Sequence, residues 1–330
     1  MESMNQLKKK ATLQDVAELA NVSSATVSKF INGQKSFTSK VENNIRNAIA
    51  TLGYQQNSAA RAVATGKNNA IGLAILDICN PYYAGIVRGA SEIATKHGYN
   101  LLLSDLNQES GNTLDVLKAL SVRVDGLMVS RRMPDETIDW INTQKMPLVF
   151  ICSTNDSDIP SVGVDVNDVV IMQFDHLAGL GHTQITYVGY DGSPLNKLRK
   201  SKLTELTKAR NISLRLMDAK APTLSGGQDV AMEAIKGSGK RAIICYNDLV
   251  AIAIINAAAE ANVKIPEELS IIGVDNIPIC DFVVPRLTTV DTDGFGQGKE
   301  SAQKLLNIIN GKPVEKETQI TPKLVLGSST

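Results

Sequence analysis

Histidine and cysteine are scarce: the 330 residues hold three of the first and four of the second. Cys79, Cys152, Cys245 and Cys280 are far apart and form no C-x-x-C pair, and His97, His176 and His182 share no ligand spacing. These absences argue against a zinc or iron–sulfur framework, so no metal site is expected. Each cysteine stands in or beside an apolar run, which predicts four buried free thiols. No stretch of 18 apolar residues occurs, and the opening MESMNQLKKKA has no apolar leader core. A soluble, cytoplasmic chain with no membrane partner is the expectation. Catalytic signatures are missing too. No G-x-S-x-G or comparable nucleophile motif occurs, and the glycine-rich run from Gly294 to Lys299 fits neither the dinucleotide nor the P-loop pattern. The chain does not read as an enzyme and calls for no cofactor.

Net charge is also absent, at +0, which taken alone argues against a polyanionic partner. The distribution says otherwise. Residues 1–67 contain nine Lys/Arg against four Asp/Glu, a surplus of +5 that leaves −5 for residues 68–330. A small basic head on an acidic body suits an anion-binding module carried by a unit that stays off the anion. The length exceeds what one core usually organises, and 43% hydrophobic with 21% charged residues is a globular composition.

Residues 11–66 read as three short helices and a fourth, marginal one. Thr12-Leu-Gln-Asp15 is a capping-box-like start, after which Val16, Leu19 and Ala20 give the first helix an apolar face. Asn21-Val22-Ser23 breaks it: Asn tolerates the left-handed backbone of a tight turn, and Ser23 can cap the next helix. That second helix is expected over 24–31, with Val27, Phe30 and Ile31 apolar and Ser24, Ala25, Ser28 and Lys29 opposite. Two helices on so short a turn make a helix-turn-helix. A third is expected over 40–52, with Ser39 and Glu42 as capping box and Gly53 as stop. The Ser, Ala, Ser, Lys face is small and free of carboxylates, so it can enter a major groove. There Lys29 could bond guanine O6/N7 and the Ala25 methyl could meet a thymine methyl. A merely solvated helix face is the plain alternative.

Residues 12–32, TLQDVAELANVSSATVSKFIN, resemble the DNA-binding head of the lactose/galactose repressor family of bacterial regulators, T-x-x-D-V-A-x-x-A-G-V-S-x-x-T-V-S-R-x-L-N. The resemblance implies DNA contacts from Thr12, Ser23, Ser24, Ala25, Thr26, Ser28, Lys29 and Asn32. Two departures stand out: Asn21 replaces the turn glycine, and Lys29 replaces an arginine, losing a bidentate fork. Residues 54–66 resemble the family's hinge, Y-x-P-N-x-x-A-R-x-L-x-x-G, which in the family forms a helix in the minor groove and wedges a base step with a leucine. Asn57, Ala60 and Arg61 match, and Val63 takes the leucine's place as a shorter wedge.

From residue 69 on, short apolar runs alternate with helical patterns. Strands are expected at 71–76, 100–106, 126–130, 148–152 and 161–166, then at 185–190, 213–216, 242–246, 270–275 and 288–290, with a last run near 323–326. Helical patterns cover 83–97, 167–180, 196–210, 226–236, 248–262 and 296–310. Such alternation predicts an α/β body of two doubly wound parallel-sheet subdomains, with the ligand cleft beyond the carboxyl ends of the strands. The stretches 176–189, 246–275 and 285–290 resemble the same family's core signatures, in a fold similar to periplasmic sugar-binding proteins. The resemblance implies a head over 1–56, a hinge over 57–68 and an effector-binding and dimerisation body over 69–330. Within the body it implies an N-subdomain of about 69–165 plus 292–325 and a C-subdomain of about 166–291. Asp77 and Tyr82 are candidate effector contacts by their place just past the first strand, and the resemblance implies further contacts from Tyr83, Arg199, Asn247, Asp248 and Asp275. Cys152 stands where several family members have aspartate, and Arg131-Arg132 suits either an anionic ligand or a solvated loop.

The expectation is therefore a homodimeric transcription regulator, a repressor, that binds a pseudo-palindromic double-stranded operator. A sugar or sugar derivative in the cleft would control it. A sugar-binding module without DNA function, and a regulator answering to a protein corepressor, are the alternatives.

Overall fold

The computed structural model describes residues 11–31, 33, 36–55, 66–106, 112–130, 135–152 and 158–330. Asn32, Asn57, Ala60, Arg61, Val63 and the Arg131-Arg132 pair lie outside the described residues. Residues 1–68 and 69–330 form two compact units.

The first unit holds α1 (Leu13–Ala20), α2 (Ser24–Ile31) and α3 (Ser39–Leu52). The capping box at its start is present: Thr12 Oγ1 accepts from the Asp15 amide, and the Asp15 carboxylate accepts from the Thr12 amide at 2.7 Å. Asn21 ends α1 at φ 53° and Gly53 ends α3 at φ 56°, both left-handed. Two expectations fail. Leu19 is 53% exposed while Ala17 is buried in its stead, because Ala17 rather than Leu19 falls on the stripe facing α3. Ser39 is the first helical residue of α3, and Thr38 before it caps without a side-chain hydrogen bond, so the Ser39–Glu42 box does not form. Val16, Ala17, Ala20, Val27, Ile45 and Ala48 make the core, ringed by Phe30, Ile31, Ile49 and Tyr54 among others.

The second unit carries two six-stranded sheets. The first comprises β1 (Ala70–Ile75), β2 (Asn100–Asp105), β3 (Leu127–Ser130), β4 (Leu148–Ile151), β5 (Ser161–Gly163) and β11 (Glu317–Gln319), ordered β11-β5-β4-β3-β1-β2 and parallel throughout. The second comprises β6 (Gln184–Gly189), β7 (Ser213–Asp218), β8 (Arg241–Cys245), β9 (Leu269–Val274), β10 (Thr288–Asp291) and β12 (Lys323–Val325), ordered β12-β10-β9-β8-β6-β7. In it only β12 is antiparallel. Central strands such as β1 and β9 are buried along their whole length, as strands covered on both faces must be.

Helices α4 (Tyr82–Lys96), α5 (Thr113–Ser121), α6 (Asp135–Thr143) and α11 (Gly294–Ile309) go with the first sheet. Helices α7 (Val166–Gly179), α8 (Pro194–Ala209), α9 (Leu224–Ala234) and α10 (Asp248–Glu260) go with the second. The chain crosses between sheets after β5 and after β10. The third crossing lies between β11 and β12, a few residues before 325: Ile320 still bonds Gly163, whereas Lys323–Val325 pairs with β10 in the second sheet. All four thiols are free, but Cys79 is exposed, since it lies in the loop beyond β1 and not on the strand. Among the described residues no helix is long and apolar enough to cross a membrane.

Candidate functional site

In the first unit, α2 turns Val27, Phe30 and Ile31 inward and leaves Ala25 and Lys29 exposed, with Ser24 and Ser28 half-buried beside them. At 100° per residue these four side chains share one flank of the helix. Ser23 caps α2: its hydroxyl accepts from the Thr26 amide at 3.1 Å and lies 2.9 Å from Thr26 Oγ1. Ser23 and Thr26 therefore set the start of the helix, and Thr12 sets the start of α1. The Arg46 guanidinium lies 5.2 Å from the Phe30 ring, fixing α2 against α3 from outside. The result is a helix-turn-helix with a short-side-chain flank and one exposed cation, shaped to lie against a groove of a polyanion.

In the second unit a cleft of about 320 Å³ lies at the carboxyl ends of both sheets. β1 sits between β2 and β3, and β6 between β7 and β8, so chain direction across each sheet reverses at these strands and opens a crevice beyond them. From the first sheet come Asp77, Cys79, Asn80, Tyr82 and Tyr83 after β1, and Asp105 at the end of β2. From the second come Tyr190 and Ser193 after β6, Arg199 on α8, Thr223 before α9, Tyr246 and Asn247 after β8, and Asp275 after β9.

Six of the seven expected effector residues line this cleft: Asp77, Tyr82, Tyr83, Arg199, Asn247 and Asp275. Several are held by the protein itself. Asp77 Oδ1 accepts from the Cys79 amide at 2.8 Å. Asn247 Oδ1 caps α10 by accepting from the Val250 amide at 3.0 Å, while its Nδ2 donates to the Pro222 carbonyl at 2.8 Å. Arg199 is buried, donates to the Tyr246 carbonyl at 2.6 Å and lies 4.9 Å from that residue's ring. Tyr82 and Tyr83 meet edge to face at 5.2 Å, and Tyr190 and Tyr246 at 5.9 Å.

The seventh, Asp248, is not on the cleft wall. Its carboxylate is fully buried and bonded to Ile277, Cys280 and Thr289; the polar pair after β8 splits, Asn247 facing the cleft and Asp248 the interior. Asp105, Tyr190, Ser193, Thr223 and Tyr246 line the cleft without having been foreseen. Their signal was positional, since Asp105, Tyr190 and Tyr246 stand at or just past strand ends.

His182 is buried with Nε2 2.9 Å from Ser270 Oγ. Burial first, then the charges of Lys240 and His176, push its imidazole down to about 4. The Tyr187 hydroxyl, buried beneath the cleft, donates to Asn196 Oδ1 at 2.9 Å, and burial pushes its ionisation far up. Among the described residues no group of three His, Cys, Asp or Glu could hold a metal ion.

Residues 12–57 match the model of bacterial regulatory proteins of the lacI family, and residues 174–330 that of the periplasmic binding protein-like domain. Catabolite control protein A of Staphylococcus aureus (strain N315) is 30% identical over 321 residues, covering 94% of this chain and 96% of the relative. The fold is that of the lac repressor dimer bound to operator and the anti-inducer ONPF: TM-score 0.86 at 24% identity, over 97% of this chain and 99% of that one. A LacI family transcriptional regulator from Enterococcus faecium with bound ribose is similar at TM-score 0.70 and 25% identity, over 79% of this chain and 98% of that one.

Proposed function

The chain belongs to the lacI family of bacterial regulatory proteins, and on that premise we propose that it is a sequence-specific DNA-binding repressor whose hold on its operator is set by a small, neutral sugar in the cleft. The observation that carries the proposal is the pairing of α1 and α2. This helix-turn-helix has its own apolar core and presents Ser24, Ala25, Ser28 and Lys29 outward on one flank. Two copies would read two half-sites, so a homodimer would set a pseudo-palindromic operator. The lac repressor, whose fold this chain shares, is described as a dimer on operator. No bond-making step is assigned to the chain, and its place of action is the cytoplasm, with the DNA.

The effector class follows from the wall of the cleft. Four tyrosine rings offer faces for the apolar side of a pyranose or furanose. Among the described residues, the carboxylates of Asp77, Asp105 and Asp275 outnumber the single guanidinium of Arg199. Carboxylates accept from hydroxyls and repel phosphates and acids, which favours a neutral polyol. The Enterococcus faecium regulator holds ribose. A sugar that binds one arrangement of the two sheets better than another shifts operator affinity by a coupling energy of about 1–3 kcal/mol, or roughly 5–150-fold.

The test is selection of bound duplexes from a random library by the full chain. Affinity for the winner is then measured with D-ribose, D-glucose, cellobiose, ribose 5-phosphate and gluconate. Convergence on a two-fold symmetric sequence, with one neutral sugar shifting its affinity, is expected. Failure to enrich any sequence would overturn the repressor reading, and a response to the phosphate or acid alone would overturn the effector class.

A further inference from the structure

Asp248 opens α10, where unpaired helix amides and the helix dipole favour an anion. Its Oδ1 accepts from Thr289 Oγ1 at 2.6 Å, and its Oδ2 accepts from the Ile277 amide at 3.0 Å and the Cys280 thiol at 3.2 Å. One carboxylate thus joins the start of α10, the strand β10 and the short 3-10 turn Pro278–Asp281. Every one of these donors is neutral. Burial pushes the Asp248 carboxyl up to about 7, and the bonds from Thr289, Ile277 and Cys280 pull the other way. The neighbouring thiols of Cys245 and Cys280 are pushed upward by burial, so Cys280 keeps the proton it donates.

Space has been left for this carboxylate. A Cβ on Gly273 of β9 would collide with Asp248 Oδ1, and the Gly273 carbonyl is itself held by Gln173 Nε2 at 2.9 Å.

The gripped segment is strained. Asp275 adopts φ 116°, a strained value for a residue that is not glycine, and the next residue, Asn276, takes φ 54°, which asparagine tolerates. Such backbone persists only where its surroundings over-determine it. The surroundings here are the Asp248 bond to Ile277, the Asp275 amide donating to the Val290 carbonyl at 2.9 Å, and Asn276 Nδ2 donating to Asp291 Oδ2 at 3.0 Å. Asp275 lines the cleft, and Asp248 lies behind it.

We propose that Asp248 is a positioning residue for the effector cleft: it clamps the strained turn at 275–277 and so holds Asp275 where a ligand hydroxyl can reach it. The last step rests on the cleft being the effector site; the clamp itself does not. Asp248 touches no ligand, and it acts on affinity through Asp275.

Amide hydrogen exchange on the ligand-free full chain tests the clamp. In Asp248→Asn one acceptor oxygen becomes a donor, so exchange across 275–281 is expected to quicken about tenfold. Ile243 and Ile271 in the sheet should keep their protection. Unchanged exchange, or exchange that quickens equally across the whole second sheet, overturns the proposal. Should Asp248→Asn not fold, Thr289→Val removes one donor and is expected to quicken the same segment. Calorimetry with D-ribose then tests positioning: Asp248→Asn should weaken binding about tenfold while Ile243 and Ile271 keep their protection. Unchanged ribose affinity in Asp248→Asn overturns the positioning role. A wild-type chain that ignores ribose and every other sugar would sink the sugar reading, while the exchange result would still decide the clamp.

Discussion

The guanidinium of Arg199 lies 4.9 Å from the centre of the Tyr246 ring and donates at 2.6 Å to the carbonyl of that same residue. The cleft therefore holds its one guanidinium, among the described residues, at a fixed place before any ligand arrives. A partly desolvated cation over a ring is worth on the order of 1 kcal/mol beyond ordinary packing. Arg199→Ala and Tyr246→Leu should thus be coupled by about 1 kcal/mol in a double-mutant cycle of urea unfolding. Strict additivity would mean the ring and the guanidinium act independently.

Helices α4 and α11 approach closely because both carry glycine at the crossing. A Cβ at Gly298 would collide with the Ile86 carbonyl, and one at Gly89 with the Phe295 carbonyl. Gly298→Ala should destabilise the body by about 1–3 kcal/mol through forced separation of the helices. Gly179, at the end of α7, has nothing within 4 Å of its would-be Cβ. There alanine should be neutral or stabilising by up to about 1 kcal/mol. Thermal unfolding of the two variants separates close packing from simple propensity.

His182 gives the body a defined acid sensitivity. Its folded value near 4 lies below the ordinary histidine value, about 6.5, so the fold favours the neutral ring. The stability this contributes is complete above pH about 6.5 and is lost as pH falls towards 4, up to about 3 kcal/mol. Urea unfolding at pH 7, 5.5 and 4.5 should show that decline, and His182→Gln should flatten it. An identical decline in the variant would assign the effect to other groups.

Lys29 is the exposed cation on the outward flank of α2. If it reads a base edge, Lys29→Ala should lose about 1–3 kcal/mol at one base pair of each half-site and relax the preference there. Lys29→Arg should sharpen the preference, since the guanidinium forks onto guanine. Equal weakening on every sequence would make Lys29 a phosphate contact instead.

Much of the fold is legible in the residues. Apolar runs such as Ile71–Ile75 and Leu269–Val274 are fully buried strands, and the Thr12–Asp15 box and Asn21 turn form as their chemistry requires. The features that escape a reading of the sequence depend on tertiary neighbours. β11, Glu-Thr-Gln, has no apolar residue to announce a strand and exists through its ladder to β5. Cys79 follows the apolar Ile78, yet both are exposed, because the chain has already left the strand. Asp248 resembles a cleft residue because it follows Asn247. Its donors at Cys280 and Thr289, 32 and 41 residues away in sequence, decide otherwise. Tyr190 and Tyr246 show the converse: strand ends mark a cleft, but only the paired sheets reveal which ends converge.

The most direct test of a DNA-binding regulator compares the full chain with a chain lacking residues 1–66, by fluorescence anisotropy on the selected operator across a salt series. Log affinity of the full chain is expected to fall linearly with log salt. About 6–10 phosphate contacts would lose roughly 10³–10⁵ between 50 and 200 mM. The shortened chain should lose operator binding while still binding its sugar. Salt-insensitive binding by the full chain, or an undiminished operator signal without residues 1–66, would contradict the assignment of the head as the DNA reader.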